Sequence, residues 1–268
     1  MPGDTREVIL TGGYTNAGLV TRVGDSVRRP WRPTSPAVKA LLDHLERVGF
    51  DGAPRFLGVD DRGRETLSFI PGEAAIEPYP PWALTDDALV SVAELLRRYH
   101  DAVASFDPEG HAWPRSVPAP FRAGIVSHND PNLDNVIFAD GRAVALIDFD
   151  LAAPGSAVWD VACAARLWAP LRDERDAPEP LRGRAPARLR MFLDAYGLPR
   201  RDRARVVDAL ILAHDWVYDV VRDAVGGGHR TFGRMWRGGG EQRADRTRRW
   251  IAAHRHELLA AADRDRRD

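Results

Sequence analysis

Along the first seventy residues, apolar and polar positions alternate in short runs broken by glycine and aspartate, a pattern of strands rather than long helices. Glu7 to Thr11 and Leu19 to Val23 flank the stretch GGYTNAG, and Gly24-Asp25 turns the chain into a third segment, Ser26 to Trp31. Together they predict a three-stranded meander. The period then lengthens: Val38, Leu41, Leu42 and Leu45 share one helical face, with Ser35 as N-cap, Pro36 at the first helical position and Gly49 at the C-terminus. Pro54 to Val59 and Glu65 to Ile70, joined by Asp60-Asp61-Arg62-Gly63, add a hairpin that ends at Pro71-Gly72. The expectation is five strands with one inserted helix.

Beyond Gly72 a proline-rich stretch runs through Trp82, and long helical patterns follow. The domain boundary is therefore expected between an N-terminal unit, 1–72, and a C-terminal unit, 73–268. Thr85 caps a helix with Asp86 and Asp87 in its first turn, and Leu89, Val92, Leu96, Tyr99 and Val103 form its buried face. Further helices are predicted at 157–169, 186–196, 200–224 and 241–262. Between the first helix and the second lies a short β element: Gly124 to Ser127, a loop, Val136 to Phe138, the turn Ala139-Asp140-Gly141-Arg142, and Val144 to Ile147. Gly226-Gly227-Gly228 and Gly238-Gly239-Gly240 read as flexible connections.

Composition narrows the function classes. The 268 residues carry 38 basic and 39 acidic side chains, a net charge of -1, which gives no reason to expect nucleic acid as a partner. No apolar run reaches the roughly 18 residues of a membrane span, and the start MPGDTREVIL has no signal-peptide core, so a soluble, cytoplasmic protein that binds no membrane is expected. Cys163 is the only cysteine, which excludes an internal disulfide and a multi-thiolate zinc site. Lys39 is the only lysine; every other basic residue is arginine.

The densest chemistry lies in Ser127-His128-Asn129-Asp130-Pro131-Asn132-Leu133-Asp134-Asn135, followed by strands that end in Ile147-Asp148-Phe149-Asp150. Polar residues so crowded between apolar strands are costly to bury, which points to a loop facing a cleft. An aspartate on such a loop can orient or deprotonate a hydroxyl. An asparagine five residues later, and an aspartate thirteen beyond that, can offer hard oxygen ligands to a divalent cation. Phosphoryl transfer needs this division of labour.

The order H-x-D-x-x-x-x-N, strand-turn-strand, I-D-F, behind a five-stranded unit ending in F-I-P-G-E, resembles the aminoglycoside phosphotransferase and choline kinase-like family, distant relatives of the protein kinases. The resemblance covers about Val8 to Leu171. It implies an α+β, bilobal protein kinase-like fold: a small five-stranded antiparallel N-lobe with one helix, and a larger, mainly helical C-lobe. The implied activity is transfer of the γ-phosphate of ATP or GTP, with Mg2+, to a hydroxyl of a small molecule. By the resemblance Asp130 is the catalytic base, Asn135 and Asp148 are the magnesium ligands, His128 is a structural member of the loop, and Asp160 braces that loop through hydrogen bonds. Asp134 and Asp150 remain open as alternative metal ligands. Gly12, Gly13 and Asn16 would cover the nucleotide phosphates, and Phe69 and Ile70 would form the hinge beside an adenine.

One departure bears on activity. The family's lysine on the third strand, paired with a glutamate from the inserted helix, is replaced by Arg28 and Arg29 on the strand and by Val38 and Lys39 on the helix. Arg28 or Arg29 can substitute as a phosphate ligand, with Lys39 as another route. This departure motivates an alternative, a nucleotide-binding pseudokinase acting as sensor or scaffold; a further alternative is a metal-dependent hydrolase using His128, Asp130 and Asp148. For the acceptor, Asp208, Asp215, Asp219 and Asp223 share one face of the helix at 200–224 with Trp216 adjacent. That face reads either as an acidic, aromatic wall for a cationic amine or amino sugar, with Asp215, Trp216 and Asp219 at its centre, or as a solvated face balanced by arginines.

Overall fold

Strand order departs from chain order at once in the computed structural model, which describes residues 6–10, 18–122 and 124–263. Strands β1 (Glu7–Ile9), β2 (Thr21–Val23), β3 (Ser26–Pro30), β4 (Phe56–Val59) and β5 (Arg64–Ser68) form one antiparallel sheet in the order β1-β2-β3-β5-β4. Helix α1 (Ser35–Arg47) follows β3 and carries the chain past the sheet edge, so that β5 inserts between β3 and β4. The register sets Arg29 opposite Glu65 and Arg28 opposite Thr66. Ser35 begins α1 rather than capping it: its hydroxyl accepts the Arg32 N–H (2.9 Å) and donates to Glu65 (3.0 Å).

The chain leaves β5 through Phe69 and Ile70 into a two-residue strand, β6 (Glu73–Ala74), which joins the second unit by pairing with β8 (Val136–Ala139). A β-carbon on Gly72, at φ 143°, would lie 2.4 Å from the Phe138 carbonyl oxygen, so glycine is required there. β8 and β9 (Arg142–Leu146) form a hairpin whose turn residues, Asp140 and Gly141, both have positive φ, as a type I′ turn demands. β7 (Ile125–Ser127) pairs with β10 (Ala153–Gly155).

Seven helices among the described residues complete the larger lobe: α2 (Asp86–Val103), α3 (Ala157–Trp168), α4 (Ala185–Tyr196), α5 (Arg200–Gly226), α6 (Arg230–Met235), α7 (Glu241–Ala253) and α8 (Arg255–Asp263). Thr85 caps α2 by accepting the Ala88 N–H, and Leu89, Val92, Leu96, Tyr99 and Val103 are all fully buried. The last helical pattern is divided in two at His254. Gly238 to Gly240 is not a flexible connection. It is a kinked helical segment between α6 and α7, and a β-carbon on Gly240 would meet Met235 Sδ at 2.6 Å. One apolar core runs from Leu41, Leu42 and Leu45 through Tyr99, Val126 and Phe149 to Trp159, Trp168, Phe192 and Leu210.

That core suspends the loop between β7 and β8. Asp160, wholly buried on α3, accepts the backbone N–H groups of His128 (Oδ2, 2.7 Å) and Asn129 (Oδ1, 2.8 Å), and its Oδ2 also lies 3.0 Å from His100 Nε2 on α2. His100 Nδ1 in turn meets the Tyr196 hydroxyl of α4 at 2.8 Å. Two indoles hold the loop from below: Trp159 donates to Asn129 Oδ1 and Trp168 to the Pro131 carbonyl, both at 2.9 Å. Asn129 adopts φ 68°, a left-handed conformation that asparagine tolerates.

Burial pushes the Asp160 carboxyl up, but the hydrogen bond from His100 and those from the loop N–H groups outweigh it, leaving the group below its ordinary value. A carboxylate depressed by folding stabilises above its unfolded pKa, and that contribution disappears as pH falls through the folded value. Asp160→Asn is expected to lower unfolding free energy by on the order of 3 kcal/mol at neutral pH, since one acceptor oxygen becomes a donor facing a donor. In urea titrations the gap from wild type should narrow below about pH 4; a gap independent of pH would contradict the brace. Gly155→Ala should also destabilise, by about 1–3 kcal/mol in the same assay, because its new β-carbon would lie 2.3 Å from Ser127 Oγ.

Candidate active site

Two backbone bonds close the distance between the loop and the end of β9. The Ile147 N–H donates to the Asn135 carbonyl (2.9 Å), and the Ile147 carbonyl lies 3.0 Å from His128 Nε2. Asn135 and Asp148 are thereby brought to the same end of the hairpin. Asp148 follows at φ 60°. His128 Nδ1 accepts the Asp130 N–H at 3.3 Å, so the ring is the neutral Nε2–H tautomer; burial lowers its pKa in the same sense. With both nitrogens engaged inside the protein, His128 offers no lone pair to a metal, which removes the hydrolase arrangement.

The half-buried Asp130 receives two hydrogen bonds from the Asn135 amide nitrogen, one on its carbonyl (2.9 Å) and one on Oδ2 (3.0 Å). That orientation leaves the Asn135 amide oxygen as an acceptor with no partner among the described residues. Burial, then the charges of Asp148 and Asp134, push the Asp130 carboxyl up to about 7. Asp148 is pushed up to about 6 by burial and then by Asp150, against the pull of Arg29 and Arg32. The site thus holds more negative charge than its own arginines neutralise.

Arg29 is the cation at its centre. Its guanidinium lies 3.1 Å from Glu65, 3.1 Å from Asp148 and 2.9 Å from Asp150, with the side chain 8% exposed. Burial works against its charge, and Asp150, Asp148 and Glu65 more than restore it. A buried ion pair stands in place of the family's lysine–glutamate pair, with its carboxylate on β5 instead of α1. Arg28 points to the other face of the strand, 3.8 Å from Asp60. Lys39 is turned to Asp43 on its own helix. Arg32 reaches Asp150 at 3.3 Å.

Phe69 and Ile70 are half-buried at the crossing between lobes; the Phe69 N–H is already bonded to the Asp25 carbonyl (2.9 Å), and Arg22 stacks 3.6 Å over its ring. Gly12, Gly13 and Asn16 lie outside the described residues. The acidic wall on α5 does not form. Asp215 is paired with Arg248 (2.9 Å), Asp219 with Arg222 and Arg115, Asp223 with Arg115 and Asp208 with Arg255. Trp216 is buried, its indole N–H on the Ser116 carbonyl (2.9 Å). The face is a salt-bridged surface because arginines from outside the helix fold back on each carboxylate.

Residues the sequence reading missed are Glu65, Ser35 and His100. Each acts through a partner on another element, and no local spacing marks it. Magnesium fits the site in a particular way. Among the described residues no three His, Cys, Asp or Glu side chains form a cage for a metal. One carboxylate, Asp148, and one amide oxygen, Asn135, match the habit of Mg2+ of taking one or two protein ligands and completing its shell with phosphate and water oxygens.

Comparisons with known proteins identify the relatives of this chain. Residues 110–207 match the model of the Phosphotransferase enzyme family. Over 267 residues the chain is 38% identical to the trifolitoxin immunity protein of Rhizobium leguminosarum bv. trifolii, spanning 95% of this chain and 98% of that one. Its fold is similar to a choline/ethanolamine kinase family protein from Mesorhizobium loti (16% identity, TM-score 0.61, 96% of this chain and 92% of that one). It is similar also to aminoglycoside 2'-phosphotransferase-IIIa, solved as a GDP complex (13% identity, TM-score 0.58, 96% and 92%). With its order of motifs, its bilobal kinase-like architecture and an end-to-end relative in agreement, the chain belongs to the phosphotransferase enzyme family of small-molecule kinases.

Proposed function

We propose that this protein transfers the γ-phosphoryl group of ATP or GTP, as its magnesium complex, to a hydroxyl of a small molecule. The observation that carries the reading is the meeting of Asp130, Asn135 and Asp148 at one end of the hairpin, across from Arg29 on β3. In the reaction the acceptor oxygen bonds to the γ-phosphorus and the bond from that phosphorus to the β–γ bridging oxygen breaks. The nucleoside diphosphate leaves with the electron pair, and the acceptor's proton passes to Asp130. Magnesium, when bound, supplies positive charge against the phosphates, and Asn135 and Asp148 are the residues that would hold it.

The chain's own groups do the rest. Asp130 receives the Asn135 amide, which aims its second oxygen at the hydroxyl. Arg29 binds phosphoryl oxygens through its planar fork, and Glu65, held by Ser35, keeps it aimed. Residues 1–72 supply the nucleotide side, with the base at Phe69 and Ile70; residues 73–268 supply the base, metal ligands and acceptor side. The GDP complex of the similar phosphotransferase supports nucleotide use in this cleft. The relative's name supports an acceptor that is a toxic compound, disarmed by a phosphate on its hydroxyl. The pseudokinase alternative was motivated by a missing ion pair, and the Arg29–Glu65 pair weakens that motive.

Thermal shift with Mg-ATP and Mg-GTP, followed by diphosphate release across hydroxylated acceptors, tests the reading; stabilisation with no product from any acceptor would favour the pseudokinase. Asp130→Asn should lower turnover by on the order of 10²–10⁴ while the nucleotide-dependent shift persists. Glu65→Gln should raise the nucleotide KM about tenfold, more than it lowers kcat, because it frees Arg29 without touching Asp130. An unchanged KM would remove Glu65 from this role.

A further inference from the structure

The buried arginines Arg29 and Arg188 are both ion-paired. Arg188, 1% exposed, bonds Asp86, the Trp168 carbonyl and the Thr85 carbonyl. Arg166 is buried without an ion pair among the described residues. It lies on α3 two residues before Trp168, whose indole holds Pro131 of the loop, and only 8% of it is exposed. Its Nε is buried without a hydrogen-bond partner, and among the described residues its guanidinium has no ion pair. A second arginine, Arg172, also has no ion pair among the described residues. It lines a cleft with Tyr79, Leu133 and Trp168, so it sits beside the same loop. On the facing helix α5, His214 Nδ1 is buried and unpartnered too.

Like charges set side by side without counter-ions, and buried polar atoms without partners, are unfavourable unless a ligand completes them. The charges are felt locally. Burial, then the charge of Arg166, pushes His214 down to about 3, so the ring is neutral. Burial lowers Arg172, and the charge of Arg166 adds to that. Arg166 also pulls against the rise at Asp130, which places its field on the carboxylate that would receive the acceptor's proton. Arg29 approaches that carboxylate's neighbours from β3, whereas Arg166 and Arg172 approach from α3 and the segment after it, so the two cationic groups flank the loop from different elements.

We propose that the acceptor carries an oxyanion, a carboxylate or a phosphate, which Arg166 and Arg172 clasp while its hydroxyl meets Asp130. This rests on the phosphotransfer reading above and names its substrate class: an anionic hydroxy compound, in place of the cationic amine expected from the acidic face of α5. Arginine is suited to it, since its fork presents paired donors to a carboxylate or phosphate.

The test uses four acceptors on one three-carbon scaffold, with saturating Mg-ATP or Mg-GTP: glycerate, glycerol 3-phosphate, glycerol and 3-aminopropane-1,2-diol. Binding is read by calorimetry and turnover by diphosphate release, in wild type, Arg172→Gln and Arg166→Gln. The expected result is saturable binding of one or both oxyanions, at least about tenfold tighter than the neutral and cationic members. Which of the two binds distinguishes carboxylate from phosphate. Arg172→Gln should weaken that oxyanion by about tenfold to a hundredfold, with the nucleotide-dependent thermal shift as evidence that the variant is folded. The proposal is overturned if neither oxyanion binds, if the neutral or cationic member binds as well, or if both variants leave oxyanion affinity unchanged. It is equally overturned if the variants weaken nucleotide instead of acceptor. Loss of any Mg-nucleotide thermal shift in wild type would instead sink the phosphotransfer reading, and oxyanion binding that persisted without nucleotide would then keep the arginine site standing alone.

Discussion

A single buried carboxylate orders the chemistry of this protein. Asp160 takes the N–H groups of two consecutive loop residues on its two oxygens, and His100 approaches the second of these. A loop rich in polar residues cannot bury its backbone without partners, and here the partner comes from a helix anchored in the apolar core. Through His100 and Tyr196 the same network ties together α2, α3 and α4, so the position of Asp130 is coupled to the packing of three helices. Removing that carboxylate takes from the loop both of its backbone acceptors on α3 and leaves the indoles of Trp159 and Trp168 to hold it.

The second constraint is electrostatic. Carboxylates gather at the loop and the end of β9 until burial and mutual repulsion raise Asp130 and Asp148 well above ordinary acids. Arg29 offsets part of this charge, and the remainder is what a divalent cation with its phosphates would neutralise. Elsewhere the chain uses arginine to silence acids, as on α5, where four aspartates that look like a cation site are all ion-paired. Beside the loop, Arg166 and Arg172 have no ion pair among the described residues. The proposed acceptor oxyanion would supply the counter-charge that the fold does not.

Several elements were legible before any coordinates. The helix from Asp86 declared itself by Thr85, two acids and an apolar face, each of which serves as expected. The hairpin at Asp140-Gly141 did so by its turn residues. Ser35 did not. Its residue type suits a cap, but its hydroxyl is recruited by Glu65, which is thirty residues away in the chain. The glycine triplet at 238–240 has the composition of a flexible connection, yet its glycines allow Met235 to pack against a kinked helix.

By itself, the sequence determined the kinase-like architecture, the reaction class and the identity of the loop residues, because motif order, periodicity and turn chemistry are local properties written in adjacent positions. Tertiary structure decided which of two adjacent arginines enters the cleft, which glutamate meets it and whether the acidic face of α5 stays free. The physical reason is the same for all three. Strand pairing between β3 and β5 and the reach of arginines from other helices depend on elements distant in the chain, and ion pairing rewards whichever charge the fold brings near.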